Sequence, residues 1–394
     1  MPQTPEADAF RRHGLSSPTR VDLVQPTLAQ YRLAPLAELS RRPNVRLRVY
    51  RGFDAGLPNA RTDAFDVLDA PLRRVRVGRR FVTWQPRQWQ LAGNHGGGRR
   101  VLVMTWDVQY ATLVPAILRA RANGVGGVLW GHGYGKIESP SRRRIRNGVG
   151  RLADAVLVYD PDTATALARD GFDAGRVFVA RNTMDTEAIR AAAATADERS
   201  VEALRRERGL TAGRTFLLVS RAGPERRADL LLQAVAKLRD VEGVTIALVG
   251  KGWAELLADE ARRLGLAGRV VTPGPLYDEA ELARWFAAAT AVVLPEEAGL
   301  SIVHAMAYAK PVVTHDDRPA HAPEAVNAID GETALLYRRG DVDSLAGCLR
   351  RLINEPTLAR DLGTRALAMA TGELTVARMV DGMVAAIETA ASRR

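Results

Sequence analysis

The chain has 394 residues, of which 46% are hydrophobic and 26% are charged. This balance excludes an intrinsically disordered or collagen-like chain, and the length suits two domains of ordinary size. The single cysteine, Cys348, excludes a disulfide framework and a cysteine-rich zinc site. No apolar run reaches the ~20 residues of a membrane-spanning helix, and the first residues lack the apolar core of a secretory signal, so we expect a cytoplasmic protein.

The net charge of +11 is unevenly distributed along the chain. Residues 1–190 hold 30 Lys and Arg against 17 Asp and Glu, whereas residues 191–394 hold 26 against 28. This asymmetry predicts that the first half faces an anionic partner, such as nucleic acid, an acidic lipid surface or a phosphate-bearing substrate. The alternative is a solvated, arginine-rich surface.

Apolar runs typical of buried strands alternate with amphipathic stretches along nearly the whole chain. In the first half, strands are predicted at 21–26, 45–50, 100–106, 127–132, 155–160 and 177–182, and helices at 108–122 and 161–170. In the second half, strands are predicted at 215–221, 244–250, 269–274, 291–296 and 311–316, and helices at 225–239, 253–265, 278–289, 299–309, 342–354, 356–370 and 375–391. Continuous Val, Leu and Ile runs separated by helices indicate parallel sheets built of βαβ units.

The series of strands restarts after a polar helical stretch at 186–210, which ends in Gly-Leu. We therefore expect a Rossmann-like N-terminal domain at 1–190 and a Rossmann-like C-terminal domain at 191–374. The C-terminal helix, 375–394, is expected to pack back on the first domain. Ligands of open parallel sheets bind beyond the carboxyl ends of the strands, so the residues there are the candidate site.

Three arginines follow the strand at 215–221, namely Arg221, Arg226 and Arg227. Guanidinium groups beside a helix N-terminus suit a diphosphate, because both favour anions. A solvated arginine cluster is the alternative. The next strand ends in "VGKGW" (249–253), where Gly-x-Gly by itself indicates only a tight turn.

Two carboxylates follow a later strand in "LPEEAGLSIVHAMAYAKPVV" (294–313), and Gly299 opens the helix after them. Glu296 and Glu297 can accept hydrogen bonds from sugar hydroxyls, and they can also cap the helix. Capping alone is the alternative to a sugar-binding function.

Taken in order, these segments resemble the nucleotide-sugar-binding half of glycosyltransferase family 4, over roughly residues 99–350. The family pattern runs Gly-Arg-x4-Lys-Gly-x-Asp, Val-Gly-x-Gly-Pro and then Glu-x7-Glu. Arg221 and Arg226 stand at the Arg and Lys positions, and Glu296 stands at the first Glu. The resemblance implies an α/β fold of GT-B architecture, in which two doubly wound Rossmann-like domains face each other across a cleft.

The resemblance also implies roles for individual residues. Arg221 and Arg226 would neutralise the leaving diphosphate, Glu296 would orient the donor sugar, and His132 in "VLWGHGYGK" would lie at the site of sugar transfer. A strand-end histidine packed near Trp130 is the alternative for His132. The remaining donor-binding residues are expected to be Gly250, Gly252, Pro273, Gly274, Glu297, Ala298, Gly299, Leu300, Ser301, His304 and Glu324.

The sequence departs from the family pattern at His304, which stands where the second Glu of Glu-x7-Glu would hold the ribose hydroxyls. A neutral imidazole can accept one hydrogen bond and donate another, so ribose binding stays compatible with this residue. Arg227 and Glu297 also replace glycines of the pattern.

Family 4 enzymes retain the anomeric configuration without a bound metal, so the resemblance implies no metal and no cofactor. A cluster of His315, Asp316, Asp317 and His321 is the alternative metal site. Hard cations near nucleotide phosphates usually need better clustered carboxylates than these.

The expected activity is transfer of a sugar from a nucleotide diphosphate sugar to a glycan or lipid-linked acceptor, in cell-surface polysaccharide or glycolipid synthesis. The alternatives are a non-catalytic relative that binds a sugar nucleotide or a partner enzyme, and another α/β nucleotide-dependent enzyme. The arginine-rich runs 71–81 and 141–151 fit an anionic membrane on the inner face of the cell, or else a solvated surface. No specific nucleic-acid motif is present.

Overall fold

The computed structural model describes residues 14–53, 58–77, 80–93, 96–135 and 138–394. The chain divides into two compact units. Unit 1 comprises Met1–Met184 and Val376–Arg394, and unit 2 comprises Asp185–Thr375. The chain therefore changes unit at 184/185 and again at 375/376, whereas the sequence placed these boundaries at 190/191 and 374/375.

Unit 1 contains a seven-stranded sheet in the order β3-β2-β1-β6-β7-β8-β9, in which every neighbouring pair is parallel. Its strands are β1 (Thr19–Gln25), β2 (Val45–Arg51), β3 (Asp66–Asp69), β6 (Arg99–Thr105), β7 (Gly126–Trp130), β8 (Ala155–Val158) and β9 (Val177–Val179). A separate antiparallel hairpin is formed by β4 (Arg73–Val77) and β5 (Arg80–Trp84).

Helices of unit 1 connect these strands in the βαβ manner. They are α1 (Leu33–Ser40), α2 (Pro86–Leu91), α3 (Leu113–Ala122), α4 (Pro140–Leu152), α5 (Pro161–Arg169) and, from the end of the chain, α14 (Val376–Ser392).

Helix α14 shares one hydrophobic core with the strands of unit 1. Met379, Val380 and Met383 are buried in that core together with residues of the central strands. The approach is close, because a Cβ on Gly382 would lie 2.1 Å from the carbonyl oxygen of Val179 on β9. Helix α14 is therefore part of the packing of unit 1, although it follows unit 2 in the chain.

Unit 2 contains a six-stranded parallel sheet in the order β12-β11-β10-β13-β14-β15. This is the 3-2-1-4-5-6 order of dinucleotide-binding folds, and the carboxyl ends of β10 and β13 meet at its topological switch point. The strands are β10 (Thr215–Val219), β11 (Thr245–Val249), β12 (Val270–Gly274), β13 (Ala291–Leu294), β14 (Val312–His315) and β15 (Ala334–Tyr337).

The helices of unit 2 cover both faces of its sheet. They are α6 (Thr186–Ala193), α7 (Glu198–Arg208), α8 (Ala228–Ala236), α9 (Trp253–Arg263), α10 (Glu279–Ala288), α11 (Leu300–Ala307), α12 (Val342–Asn354) and α13 (Pro356–Gly372). The stretch predicted as one helix at 186–210 forms two helices, because Asp197 accepts a hydrogen bond from the N–H of Ser200 and starts a new one.

The two parallel, doubly wound sheets confirm the α/β fold class predicted from the sequence. Within the described ranges, every helix is too short or too polar to cross a lipid bilayer.

Candidate functional site

The carboxyl end of β10 leads into the first arginine-bearing loop of unit 2. Arg221 is exposed there, two residues after the strand ends. The loop is fixed at its base, because Nε1 of Trp253 donates to the carbonyl oxygen of Ser220 at 2.7 Å, and the N–H of Ala222 donates to that of Lys251 at 3.0 Å. Arg221 is thus held beside the turn that follows β11.

Glycines allow the turns after β11 and β12 to approach this loop. Gly250 has φ +148°, and a Cβ there would lie 1.8 Å from the carbonyl oxygen of Ser220. Gly250 also donates its N–H to the carbonyl oxygen of Gly274 at 2.9 Å, which places Pro273 and Gly274 in the same group of loops. Gly252 begins α9 with φ +91°. Glycine is needed at Gly250 because both the close approach and the backbone conformation exclude a side chain.

Arg226 connects the loop after β10 with the loop after β13. Its Nη1 donates to the carbonyl oxygen of Glu297 at 3.4 Å, and its Nε lies 3.9 Å from the carboxylate of Glu225. The side chain is 40% exposed, so its guanidinium group can still reach a ligand. Arg227, by contrast, is paired with Asp229 at 3.0 Å in the first turn of α8.

Glu296 lies in a charged network at the carboxyl end of β13. Its carboxylate pairs with Nη2 of Arg339, whose Nη1 lies 2.8 Å from Asp317. Nε2 of His315 is 3.7 Å from the same Glu296 carboxylate. Tyr337 donates to the carbonyl oxygen of Pro295 and fixes the backbone just before Glu296. Glu296 is 15% exposed, so the network leaves part of its carboxylate accessible.

The two histidines of the alternative metal cluster are engaged in packing. Their rings are stacked with centroids 3.8 Å apart, and burial is the main reason that the pKa of His315 falls to about 4. His321 accepts the N–H of Ala298 on Nδ1 at 3.1 Å, and its Nε2 lies 2.9 Å from the carbonyl oxygen of His315. Among the described residues, no group of three or more His, Cys, Asp or Glu side chains is placed to hold a metal ion.

The N-terminus of α11 completes this edge of the sheet. Gly299 precedes the helix, and a Cβ on it would lie 3.5 Å from Oε2 of Glu324, which is buried. Ala298 is fully buried and accepts the N–H of Ala322 at 3.0 Å. Leu300 and Ser301, in the first turn, are partly exposed. The structure thus brings the 296–301 segment and Glu324 together.

His304 is hydrogen-bonded to a carboxylate that the sequence did not single out. Its Nε2 lies 2.6 Å from Oε1 of Glu279, at the start of α10, and the hydroxyl of Tyr308 donates to the same oxygen at 2.7 Å. The rings of Phe286 and His304 are 4.8 Å apart. Burial raises the pKa of Glu279, but the hydrogen bonds from His304 and Tyr308 outweigh it and hold that pKa below its usual value.

His132 belongs to unit 1, where it follows β7. Its ring meets the ring of Tyr159 edge-on at 4.9 Å, and its side chain is exposed. It lines a pocket of about 450 Å³ beyond the carboxyl ends of β1, β6 and β7. His132 is therefore not buried in the core, although its position just after β7 also fits the alternative of a strand-end histidine; Trp130, two residues earlier, is buried.

Sequence reasoning missed three side chains of unit 2 that hold predicted site residues: Arg339, Glu279 and Tyr308. Arg339 follows β15, whose sequence Ala-Leu-Leu-Tyr contains no β-branched residue to mark it as a strand. Arg339 and Glu296 are far apart in the chain and pair only in the folded sheet. Glu279 opens a recognised helix, where an acidic first turn is ordinarily explained by the helix dipole. One signal was available: a histidine replacing a carboxylate at 304 calls for a compensating carboxylate nearby.

Residues 213–355 match the family model described as "Glycosyl transferases group 1". A stretch of 162 residues is 37% identical to the MMP alpha-(1->4)-mannosyltransferase of Mycolicibacterium hassiacum, and it covers 39% of this chain and 38% of that protein. A second relative is the GDP-mannose-dependent alpha-(1-6)-phosphatidylinositol monomannoside mannosyltransferase of Mycolicibacterium smegmatis, 28% identical over 64% of this chain and 67% of that protein. The chain thus matches well under half the length of the first relative and about two thirds of the second.

Solved structures share the fold across nearly the whole chain. Anabaena Alr3699/HepE, in complex with UDP, has a TM-score of 0.67 and 18% identity, and the match covers 93% of this chain and 98% of that one. Sucrose-phosphate synthase of Thermosynechococcus elongatus has a TM-score of 0.61 and 18% identity over 93% and 97% of the two chains. These likenesses show that the chain shares the fold of these solved structures, whose two-sheet α/β architecture is the one that the sequence predicted.

Proposed function

We propose that this protein is a retaining glycosyltransferase of family 4. It transfers a sugar from a nucleotide diphosphate sugar to a hydroxyl of a glycan or lipid-linked acceptor, in cell-surface polysaccharide or glycolipid synthesis. Unit 2 binds the donor, and unit 1 binds the acceptor. The protein works in the cytoplasm.

The observation that carries the proposal is the meeting of two loops at the switch point of unit 2. Arg226, after β10, contacts the backbone of Glu297, directly beside Glu296 after β13. A guanidinium group and a carboxylate are thereby placed on one edge of a 3-2-1-4-5-6 sheet, where ligands of such folds bind. The cation suits a diphosphate, and the carboxylate suits sugar hydroxyls.

Arg221 and Arg226 stabilise the leaving group. As the bond from the anomeric carbon to the diphosphate oxygen breaks, negative charge builds on that oxygen. Two guanidinium groups beside it lower the energy of the transition state more than that of the bound donor, which is the condition for catalysis.

Glu296 orients the donor sugar, and Arg339 positions Glu296. Because Arg339 also pairs with Asp317, its guanidinium group holds the Glu296 carboxylate on the β13 side of the edge. A carboxylate fixed in this way accepts hydrogen bonds from sugar hydroxyls without having to be ordered first, so less binding energy is lost on donor binding.

The acceptor hydroxyl attacks the anomeric carbon on the face that the diphosphate leaves. Its oxygen forms the new glycosidic bond, and its proton passes to the departing phosphate oxygen. This reaction needs no protein nucleophile and no bound metal. His132, exposed in the pocket of unit 1, contacts a hydroxyl near the reacting face.

A donor panel tests this proposal. UDP-, GDP- and dTDP-linked sugars are each incubated with the full chain, and release of nucleotide and sugar transfer are followed. GDP-mannose and UDP-glucose are included because one relative is a GDP-mannose-dependent mannosyltransferase and the HepE structure holds UDP. We expect turnover of at least one donor with retained anomeric configuration and no loss on chelation; no turnover and no binding of any donor overturns the proposal.

A second candidate function is non-catalytic binding of a sugar nucleotide or a partner enzyme. It is favoured by His304, which stands where the family pattern has a carboxylate that could hold ribose directly. The Nε2 of His304 is instead hydrogen-bonded to Glu279. Nucleotide binding without turnover, tested with a panel of acceptor sugars and lipids, distinguishes this candidate from the first.

We also propose that unit 1 meets an anionic membrane. In the run 141–151, Ile145 is 63% exposed and lies on the same helix, α4, as the exposed Arg142 and Arg144. In the run 71–81, Arg73, Arg74 and Arg76 are exposed on β4, and residues 78–79 lie outside the described residues. Arg146 is an exception, because it is buried and turned away from such a surface. Co-sedimentation with phosphatidylglycerol vesicles tests this proposal: Ile145→Ser should weaken binding several-fold, and unchanged binding removes the α4 surface from it.

A further inference from the structure

We propose that the pocket of unit 1 is a binding site for an anionic group of the acceptor, a phosphate or carboxylate, with Arg32 as its anchor. The proposal rests on the proposed function, since it takes unit 1 as the acceptor-binding unit. It goes beyond that function because it states that the acceptor is negatively charged and names the residue that binds the charged group.

Arg32 is a buried cation that has no carboxylate partner among the residues that the structure describes. It ends the short 3-10 helix that follows β1, and it is only 6% exposed. Its Nη2 donates to the hydroxyl of Tyr159 at 2.7 Å, whereas Nη1 has no hydrogen-bond partner within the described part of the chain. The pocket lining includes Arg32.

Aromatic rings surround the guanidinium group of Arg32. Its central carbon lies 4.4 Å from the ring centroid of Trp130, and 5.1 Å from those of Tyr31 and Tyr159. Such faces stabilise a cation electrostatically, and they fix its plane. They do not supply hydrogen-bond acceptors, so the free N–H groups of Nη1 still call for an oxygen.

A second buried guanidinium group lines the same pocket. Arg146 of α4 is 6% exposed and pairs with Glu138 through Nη1, while its Nε and Nη2 have no hydrogen-bond partner among the described residues. The pocket also contains Asp107, but Oδ1 of that residue accepts the N–H of Gln109 at 2.9 Å. Of the two buried cations, Arg32 is therefore the one without a counter-charge.

An anionic group of the acceptor would accept the hydrogen bonds that Nη1 of Arg32 does not make within the described residues. Charge-assisted bonds from a guanidinium group to phosphate or carboxylate are about twice as strong as neutral ones, and arginine makes them through two N–H groups at once. A pocket of about 450 Å³ holds a sugar phosphate, and its tyrosine and tryptophan walls suit a sugar ring. His132 lines the same pocket, so a ligand anchored at Arg32 shares that pocket with His132.

Calorimetric titration of the full chain tests the proposal. The probes are inorganic phosphate, glucose 6-phosphate and inositol 1-phosphate, the last two each compared with its phosphate-free parent. We expect at least one sugar phosphate to bind tenfold or more tightly than its parent. We expect Arg32→Gln to abolish this preference and Arg32→Lys to retain part of it, because lysine keeps the charge but loses the fork. The matched control is Arg121→Gln, which removes one exposed charge at the end of α3 and should bind as the unchanged protein does.

Two further measurements show where the anion comes from and whether the effect of Arg32 is separate from donor binding. Vesicles of phosphatidylcholine with and without phosphatidylinositol show whether a lipid headgroup supplies the anion; Arg32-dependent binding to either the vesicles or the soluble phosphates supports the proposal. UDP and GDP are titrated on the same variants. If Arg32→Gln weakens only nucleotide binding, or if phosphate-free parents bind as well as the phosphates, or if no phosphate binds, the proposal is overturned. Failure of the donor panel leaves these titrations interpretable, because they involve no donor.

Discussion

The strand-end edges of the two units differ in how their charged side chains are compensated. In unit 2, Glu296 pairs with Arg339, and Glu279 is hydrogen-bonded to His304 and Tyr308, so both carboxylates have partners within the protein. In unit 1, Arg32 is buried among aromatic rings and has no carboxylate partner among the described residues. A ligand of unit 2 therefore joins an existing network, whereas a ligand of unit 1 must bring the missing charge itself.

The largest expected effect comes from removing the cation that links the two donor loops. Arg226→Gln should lower turnover of the donor by ~10²–10³-fold, as loss of one charge-stabilising donor does elsewhere. Steady-state kcat with the best donor of the panel measures it. Arg360→Gln on α13 removes an exposed arginine of unit 2 outside the candidate site and should leave kcat unchanged. Equal losses in both variants would show that overall charge, rather than the site, matters.

Substitution of Arg339, which pairs with Glu296, should lower activity less than substitution of Arg226. Arg339→Gln leaves the carboxylate in place but removes its partner, and a hydrogen bond to a charged group contributes ~1.5–3 kcal/mol, so kcat/KM should fall about tenfold or more. Arg339→Lys should recover part of this loss. A merely structural role predicts a lower melting temperature with normal kcat in the folded fraction, and that result would contradict the positioning role.

A substitution that disturbs the packing of α14 should lower the unfolding free energy of unit 1 and leave that of unit 2 unchanged. Gly382→Ala places a methyl group against the carbonyl oxygen of Val179, so unit 1 should lose ~1–3 kcal/mol of unfolding free energy. Gly372→Ala, where nothing lies within 4 Å, is the matched control in α13 of unit 2. Thermal unfolding followed by calorimetry should show a lower first transition in Gly382→Ala only. A loss of the same size in both variants would remove the argument from close packing.

The smallest expected effect is a difference between the two units in the pH range over which each loses stability. Burial lowers the pKa of His315 from 6.5 to about 4, so the unfolded chain binds more protons than unit 2 in that window, and stability is lost as pH falls from 6.5 toward 4. In unit 1, hydrogen bonds from Arg99 and Ser16 outweigh burial and lower the pKa of Glu388 from 4.5 to about 2, so its contribution is lost only below about 4.5.

Unfolding free energies measured between pH 7 and pH 3 check these windows. His315→Gln should flatten the profile between pH 6.5 and 4, and Glu388→Gln should flatten it only below pH 4.5. A profile that keeps its slope in both variants would show that other groups control the acid response.

Much of the fold was predictable because buried parallel strands carry long apolar runs. β15, whose sequence Ala-Leu-Leu-Tyr contains no β-branched residue, and β3, an edge strand with charged ends, lack that signal. α4 was read as an arginine run, because Gly148 and Gly150 weaken its helical pattern.

The candidate site was predictable only as far as local motifs reach. Arg226 and Glu296 lie in the loops that follow β10 and β13, so their placement at the switch point follows from the order of the strands. The pairs of Glu296 with Arg339 and of His304 with Glu279 join residues far apart in the chain, and no local pattern specifies them. The same is true of Arg32, whose aromatic surroundings come from three separate segments.

Helix α14 has a consequence for synthesis of the protein on the ribosome. Because Val376–Arg394 are translated after all of unit 2, the core of unit 1 lacks one covering helix until those residues have been made. Unit 2 can therefore complete its own sheet while the earlier-made strands of unit 1 still expose an apolar face to chaperones. A premature stop codon just before Val376 would spare the later-made unit and damage the one made first.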